Sequence, residues 1–194
     1  MKHLLTSSFC VALCACSAAP SSPSFPCDAA GLSGMETLIC QTPELAQLDT
    51  QLDRVYAAAV AESKEADILP AYQRGWIKGR NECWKSGDPQ GCVRESYRTR
   101  ISELQAQYQL LPASARADFL CGGGSEPLSV SFYPSLIPTA QVRFRQQSSL
   151  MFQQPAASGS RYQGQNESYW EHHGEASLVW GYGPEPLTCV QAQP

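Results

Sequence analysis

Serine, histidine and carboxylate side chains crowd together in the last third of the chain. Ser158 leads the run Ser158-Gly159-Ser160-Arg161-Tyr162, and Tyr169-Trp170-Glu171-His172-His173-Gly174-Glu175-Ala176 follows shortly after. A serine with a histidine can form a nucleophile and its base. Here there is no Gly-x-Ser-x-Gly context and no acid clearly placed to orient the base, so the chain reads as non-catalytic. The same side chains suit another task. A hydroxyl donates or accepts, and an imidazole pairs with a carboxylate when protonated. Such a cluster can address carboxyl groups on another molecule. Gly159 permits close backbone approach or a positive φ. Tyr162 and Trp170 are candidate rigid anchors. The plainer reading is a β-turn at Ser158-Gly159, aromatics in the core, and exposed His172 and His173.

The elements around this cluster look like strands. Phe119-Leu120-Cys121, Leu128 to Phe132, Gln141 to Arg145, Leu150 to Phe152, Tyr169-Trp170 and Ala176 to Trp180 are short, and several alternate apolar with polar residues. Gly, Pro, Ser and Asn separate them, as in a small antiparallel barrel or sandwich. Gly122-Gly123-Gly124 reads as a turn, since no helix pattern and no Gly-Lys-Ser/Thr follow it. Cys121 and Cys189 stand at the two ends of this unit, and a bridge between them would close nearly the whole domain over 117–194.

The preceding part, 27–111, has helical periodicity. Thr42-Pro43-Glu44 is a helix start, with a hydroxyl at the cap, proline in the first turn and then an acid. Leu45, Leu48, Leu52, Val55, Tyr56 and Ala59 follow at helical spacing. A second helix is expected from Ile68 to Cys83 and a third from Gln90 to Leu110, with a short leading helix from Gly34 to Cys40. Asp49, Arg80 and Arg100 interrupt the apolar stripes. They are expected to form a partly buried ion-pair network, the alternative being a binding surface. Four cysteines here allow three pairings. Cys27–Cys40 and Cys83–Cys92 are the expected pairs, because each closes a short segment. Residues 112–116 read as a linker. The expected architecture is α+β with two domains, a disulfide-stapled helical domain and then a small antiparallel β-barrel.

The chain has 194 residues, a net charge of −4 and nine cysteines. It carries no basic stripe of the kind that binds nucleic acid. The cysteine spacings suggest no metal site or thioredoxin-like motif, and no cofactor is implied. The first 16 residues combine a positive start with a short apolar run, as in a secretory signal. Leu13-Cys14-Ala15-Cys16 resembles a bacterial lipobox. That resemblance implies cleavage before Cys16, lipid on its sulfur, and an anchor in the Gram-negative envelope. Ser17 at the next position favours the outer membrane by the sorting rule of that class. Simple secretion, with cleavage after Ser17 or Ala19, is the alternative. Residues 17–26 are a Ser/Pro tract read as a tether.

Two family resemblances follow from these residues. Cys27, Glu36, Ile39-Cys40, Leu45, Leu48-Asp49, Leu52 and Tyr56 form one block. Gln73, Trp76, Arg80, Cys83, Cys92, Tyr97, Arg100-Ile101 and Leu104 form the next. Together they resemble the LprI-type domain of exported bacterial proteins, named after a lysozyme inhibitor. Phe-Leu-Cys121-Gly-Gly-Gly, Leu-Ser-Val-Ser-Phe-Tyr, Ser158-Gly159-Ser-Arg-Tyr162, Tyr-Trp170, Glu175-Ala176 and Cys189 resemble the C-type lysozyme inhibitors, of membrane-bound and periplasmic (MliC and PliC) types. This second resemblance implies a small β-barrel that inserts a loop into the cleft of a c-type lysozyme. The family's serine falls on Ser158. Its basic residue belongs to a Trp-x-Lys-Gly-like motif. Ungapped spacing from Trp170 puts it at His172, whereas anchoring on Gly174 puts it at His173. The competing function is a non-catalytic envelope-binding module whose helical domain contacts another envelope protein or a glycan.

Overall fold

The computed structural model describes residues 22–64, 67–183 and 185–192. The signal segment and Cys16 lie outside the described residues. The expected two-part α+β architecture is present. Four helices come first: α1 (Gly34–Gln41), α2 (Pro43–Glu62), α3 (Ile68–Asn81) and α4 (Pro89–Gln107), with a 3₁₀ turn at Glu82–Lys85. Eight strands follow: β1 (Ala115–Cys121), β2 (Glu126–Tyr133), β3 (Thr139–Phe144), β4 (Gln147–Gln154), β5 (Ser160–Gln163), β6 (Ser168–His172), β7 (Glu175–Val179) and β8 (Leu187–Gln191). Each strand pairs antiparallel with the next, and β8 pairs with β1, so the sheet is a closed barrel without free edges. None of the described helices is long and apolar enough to cross a membrane.

The apolar stripes of the helices form one core. Ile39, Leu45, Val93, Tyr97, Ile101 and Leu104 are fully buried in it. Thr42 stands before α2 as expected, but its hydroxyl makes no cap bond; the carbonyl of Thr42 accepts from Ala46 N–H. α1 instead carries the full capping box, with Ser33 and Glu36 bonded reciprocally. Asp49, Arg80 and Arg100 are about 95% buried, and the first two share a network. Tyr97 donates to Asp49 Oδ1 at 2.6 Å, and Arg80 Nη1 donates to the Tyr97 oxygen at 2.7 Å. Arg80 also donates twice to Asn81 Oδ1. Arg100 reaches Gln73 and Glu103. Burial raises the Tyr97 phenol pKa strongly, so it remains a hydroxyl donor at any ordinary pH.

Asp49 also reorganises the tether. Its second oxygen accepts from Ser24 N–H at 2.7 Å and from the Ser24 hydroxyl at 2.6 Å. Thr50 donates to the Ser22 carbonyl, and Phe25 packs against the helical core. Residues 22–26 therefore belong to the domain, whereas the sequence reading placed the tether through residue 26. A buried carboxylate needs donors, and this Ser/Pro segment provides two. The residues read as a linker, 112–116, are also partly structured. Ser114 N–H donates to the Phe132 carbonyl, and β1 begins at Ala115.

Inside the barrel, the inward-facing positions of successive strands meet. Leu128, Val130, Ala140, Val142, Phe144, Met151, Tyr169 and Leu178 line it. Gly122, Gly123 and Gly124 all have positive φ in the turn after β1, as their sequence suggested. β5 and β8 escaped the sequence reading, because Ser160–Gln163 is short and polar and Leu187–Gln191 alternates weakly. Trp180 lies just past β7, where its indole N–H donates to Gln147 Oε1.

All three disulfides have the expected partners: Cys27–Cys40, Cys83–Cys92 and Cys121–Cys189. The last joins directly opposed residues of β1 and β8 and so locks the barrel seam. With a sequence separation of 68 between its cysteines, its loop-entropy contribution is about 4 kcal/mol.

The two domains touch. By strand alternation Tyr133 and Thr139 face away from the barrel interior, yet they are 5% and 0% exposed. α4 packs over β3 there. Fully buried Ser102 accepts from Ile137 N–H at 2.7 Å, and Gln105 Oε1 accepts from Leu136 N–H at 3.3 Å.

Candidate functional site

β4 and β5 are joined by the loop 155–159, which is exposed along its whole length. The loop is held at two points. Gly159 has φ +70°, and a β-carbon there would fall 2.0 Å from the Glu171 carbonyl oxygen and 3.3 Å from His172 Cα. Only glycine permits this seat against β6. The second point is Trp170, whose indole N–H donates to the Ser158 carbonyl at 3.1 Å. Ser158 is thus fixed through its backbone while its hydroxyl has no partner among the described residues.

β6 and β7 meet in a two-residue turn at His173-Gly174, both with positive φ, as a tight hairpin requires. Glu171 Oε1 accepts from Gly174 N–H and steadies the turn. His172 ends β6, in register with Glu175. Its ring lies 5.8 Å from that of Trp170 and 3.8 Å from that of His173, measured between centroids. His173 is exposed at the tip, and Trp170 is 45% exposed. Ser158, Gly159, Trp170, His172 and His173 therefore lie together on one barrel rim.

Tyr162 differs from them. It is 6% exposed, and its ring packs against Phe132 and Tyr169 inside the barrel. Burial raises its phenol pKa. Its side chain supports β5 from within instead of presenting a surface anchor, because position 162 falls on the inward phase of a strand that the sequence did not reveal. The buried Tyr169 hydroxyl has no hydrogen-bond partner among the described residues, and its pKa is also raised by burial.

Arg161 is a residue that sequence reasoning passed over. It stands directly across from Trp170 in the β5–β6 register, is exposed and makes no ion pair among the described residues. It places a permanent cation beside the Ser158 loop. Its spacing of three from Ser158 was visible, but its direction depended on finding β5. No group of three or more metal-ligating side chains occurs among the described residues.

A disulfide-stapled helical domain joined to a closed barrel with a braced Ser-Gly loop defines a tandem of two small disulfide-bonded modules. Family comparison gives both modules a counterpart. Residues 27–104 match the model described as "Lysozyme inhibitor LprI", and residues 119–185 match "Membrane-bound lysozyme-inhibitor of c-type lysozyme". Proteins named "Lipoprotein LprI" from Mycobacterium bovis and Mycobacterium tuberculosis are 32% identical over 145 residues, covering 74% of this chain and 73% of theirs. The chain belongs to the LprI family, with an LprI domain followed by an MliC domain.

Proposed function

We propose that this protein is an inhibitor of c-type lysozyme, held at the cell envelope by lipid on Cys16, that places its 155–159 loop in the enzyme's cleft. The observation that carries the reading is the double brace on Ser158. Gly159 seated on Glu171 and Trp170 bonded to the Ser158 carbonyl leave the Ser158 hydroxyl displayed at the rim. Both family matches carry lysozyme inhibition in their descriptions, which supports the partner. The relatives' name supports the lipid anchor, and an outer-membrane address is part of the proposal.

The chemistry is complementary. A lysozyme cleft holds one protonated and one ionised carboxyl group. Ser158 Oγ accepts from the first or donates to the second. A cation beside it pairs with the ionised group, and such pairs are strengthened when water is excluded. Arg161 supplies that charge, and His172, the histidine nearer the loop, offers ring nitrogens that can hydrogen-bond to the same carboxyl groups. Pre-bracing the loop lowers the ordering cost of binding.

The test is lysis of bacterial cells by c-type, g-type and i-type lysozymes with the full mature chain and its Ser158→Ala variant. Selective inhibition of the c-type enzyme, weakened by the substitution, is expected. A folded full chain that leaves c-type lysozyme untouched overturns the proposal and favours the envelope-binding module.

A further inference from the structure

Two inhibitor-family domains on one chain can hold one enzyme or two. The barrel topology bears on this choice. In an up-and-down barrel, connections alternate between the two rims. The segments 122–125, 145–146, 164–167, 180–183 and 185–186 lie on one rim. The segments 134–138, 155–159 and 173–174 lie on the other, and the chain enters from α4 at that same end. The helical domain docks on 134–138 through Ser102 and Gln105. It therefore stands beside the Ser158 loop, not at the far end of the barrel.

The distances are short. The 134–138 and 155–159 loops are separated by the width of β3 and β4, roughly 10 Å at the usual strand spacing. A standard protein interface takes about 800 Å² from each partner, a patch roughly 30 Å across. A patch of that size centred on Ser158 reaches past the 134–138 loop and onto α4. At that seam lies Leu136, an exposed leucine at 37%, with its backbone N–H held by Gln105. Leu136 and Trp170 are large apolar side chains left exposed on this rim. Exposed apolar groups of this kind serve as interface anchors.

We infer that the barrel rim and the adjoining flank of α4 form one continuous docking surface for a single lysozyme, with Leu136 as a contact at the seam between the domains. The inference rests on the proposed function and deepens it. A lysozyme seated on Ser158 covers 134–138 and touches the helical domain. The partly buried Ser102–Ile137 bond holds the two parts in the relation that this contact needs.

The experiment uses the full mature chain with c-type lysozyme. Binding stoichiometry, hydrogen-exchange footprinting of the complex, and inhibition by a Leu136→Asp variant are measured together. The expected results are one enzyme per chain, protection at 134–138 and on α4 as well as at 155–159 and 170–174, and roughly tenfold weaker inhibition by the variant. An unchanged thermal midpoint would show that Leu136→Asp acts on contact; if that variant unfolds, the wild-type footprint decides. A footprint confined to 155–174, or two enzymes per chain, overturns the inference and leaves the proposed function standing. No footprint anywhere overturns both.

Discussion

Gly159 and Glu171 are packed so closely that a β-carbon on the glycine would lie 2.0 Å from the Glu171 carbonyl oxygen. Gly159→Ala therefore demands a shift of the loop away from β6, and its φ of +70° adds strain. The expected outcome is a barrel destabilised by about 1–3 kcal/mol, together with lost inhibition. Thermal melts and lysis assays check it. A fully stable and fully inhibitory variant would show that the loop does not need this seat.

Trp170→Phe tests the other brace. It keeps an aromatic ring at a half-exposed site and removes the N–H that reaches the Ser158 carbonyl. A single neutral hydrogen bond is worth about 1 kcal/mol. About fivefold weaker inhibition is expected, with the melting temperature nearly unchanged. Equal inhibition by wild type and variant would remove Trp170 from the mechanism.

The charged groups at the rim separate by pH. Histidine is the side chain whose ordinary titration spans pH 5 to 8, and arginine stays charged throughout. Inhibition should strengthen on going from about pH 8 to about pH 5, after correction for the enzyme's own profile. His172→Gln/His173→Gln should flatten the rise, while Arg161→Gln should lower inhibition at every pH. A flat wild-type profile rules out a part for the histidines.

In the helical domain, Tyr97 is the bridge between two buried charges, Asp49 and Arg80. Tyr97→Phe preserves the ring and leaves both charges short of a partner. A loss of about 1–3 kcal/mol is expected from denaturant unfolding. A neutral result would mean that water takes over the hydroxyl's role.

Glu36 gives the same domain an acid sensitivity. The Ser33 backbone N–H holds its carboxyl below the usual 4.5, with Arg80 assisting. A depressed pKa contributes stability that is fully present above the unfolded value and is lost as pH falls through the folded value. Wild type should lose more stability than Glu36→Gln on going from about pH 5 to about pH 3. Parallel losses would assign the acid response to other carboxylates.

Much of this protein is local, and local patterns are legible in a sequence. The helical stripes from Leu45 to Ala59 and from Val93 to Leu104 follow from burying one face of a 3.6-residue repeat. Cysteines separated by 9 and 13 residues close short segments whose pairing follows from proximity. Ser158-Gly159 and the Trp170 to Gly174 run stand out by residue type alone. What sequence could not supply is direction across the sheet. Whether Arg161 points out and Tyr162 in depends on β5, and β5 exists because β4 and β6 offer it hydrogen bonds, not because Ser160–Gln163 favours a strand. The anchoring of Ser24 by Asp49 spans 25 residues, and the docking of Ser102 on Ile137 spans 35. No periodicity announces either bond. They form because a closed barrel and a packed helical core bring buried polar groups together, and those groups must then find partners.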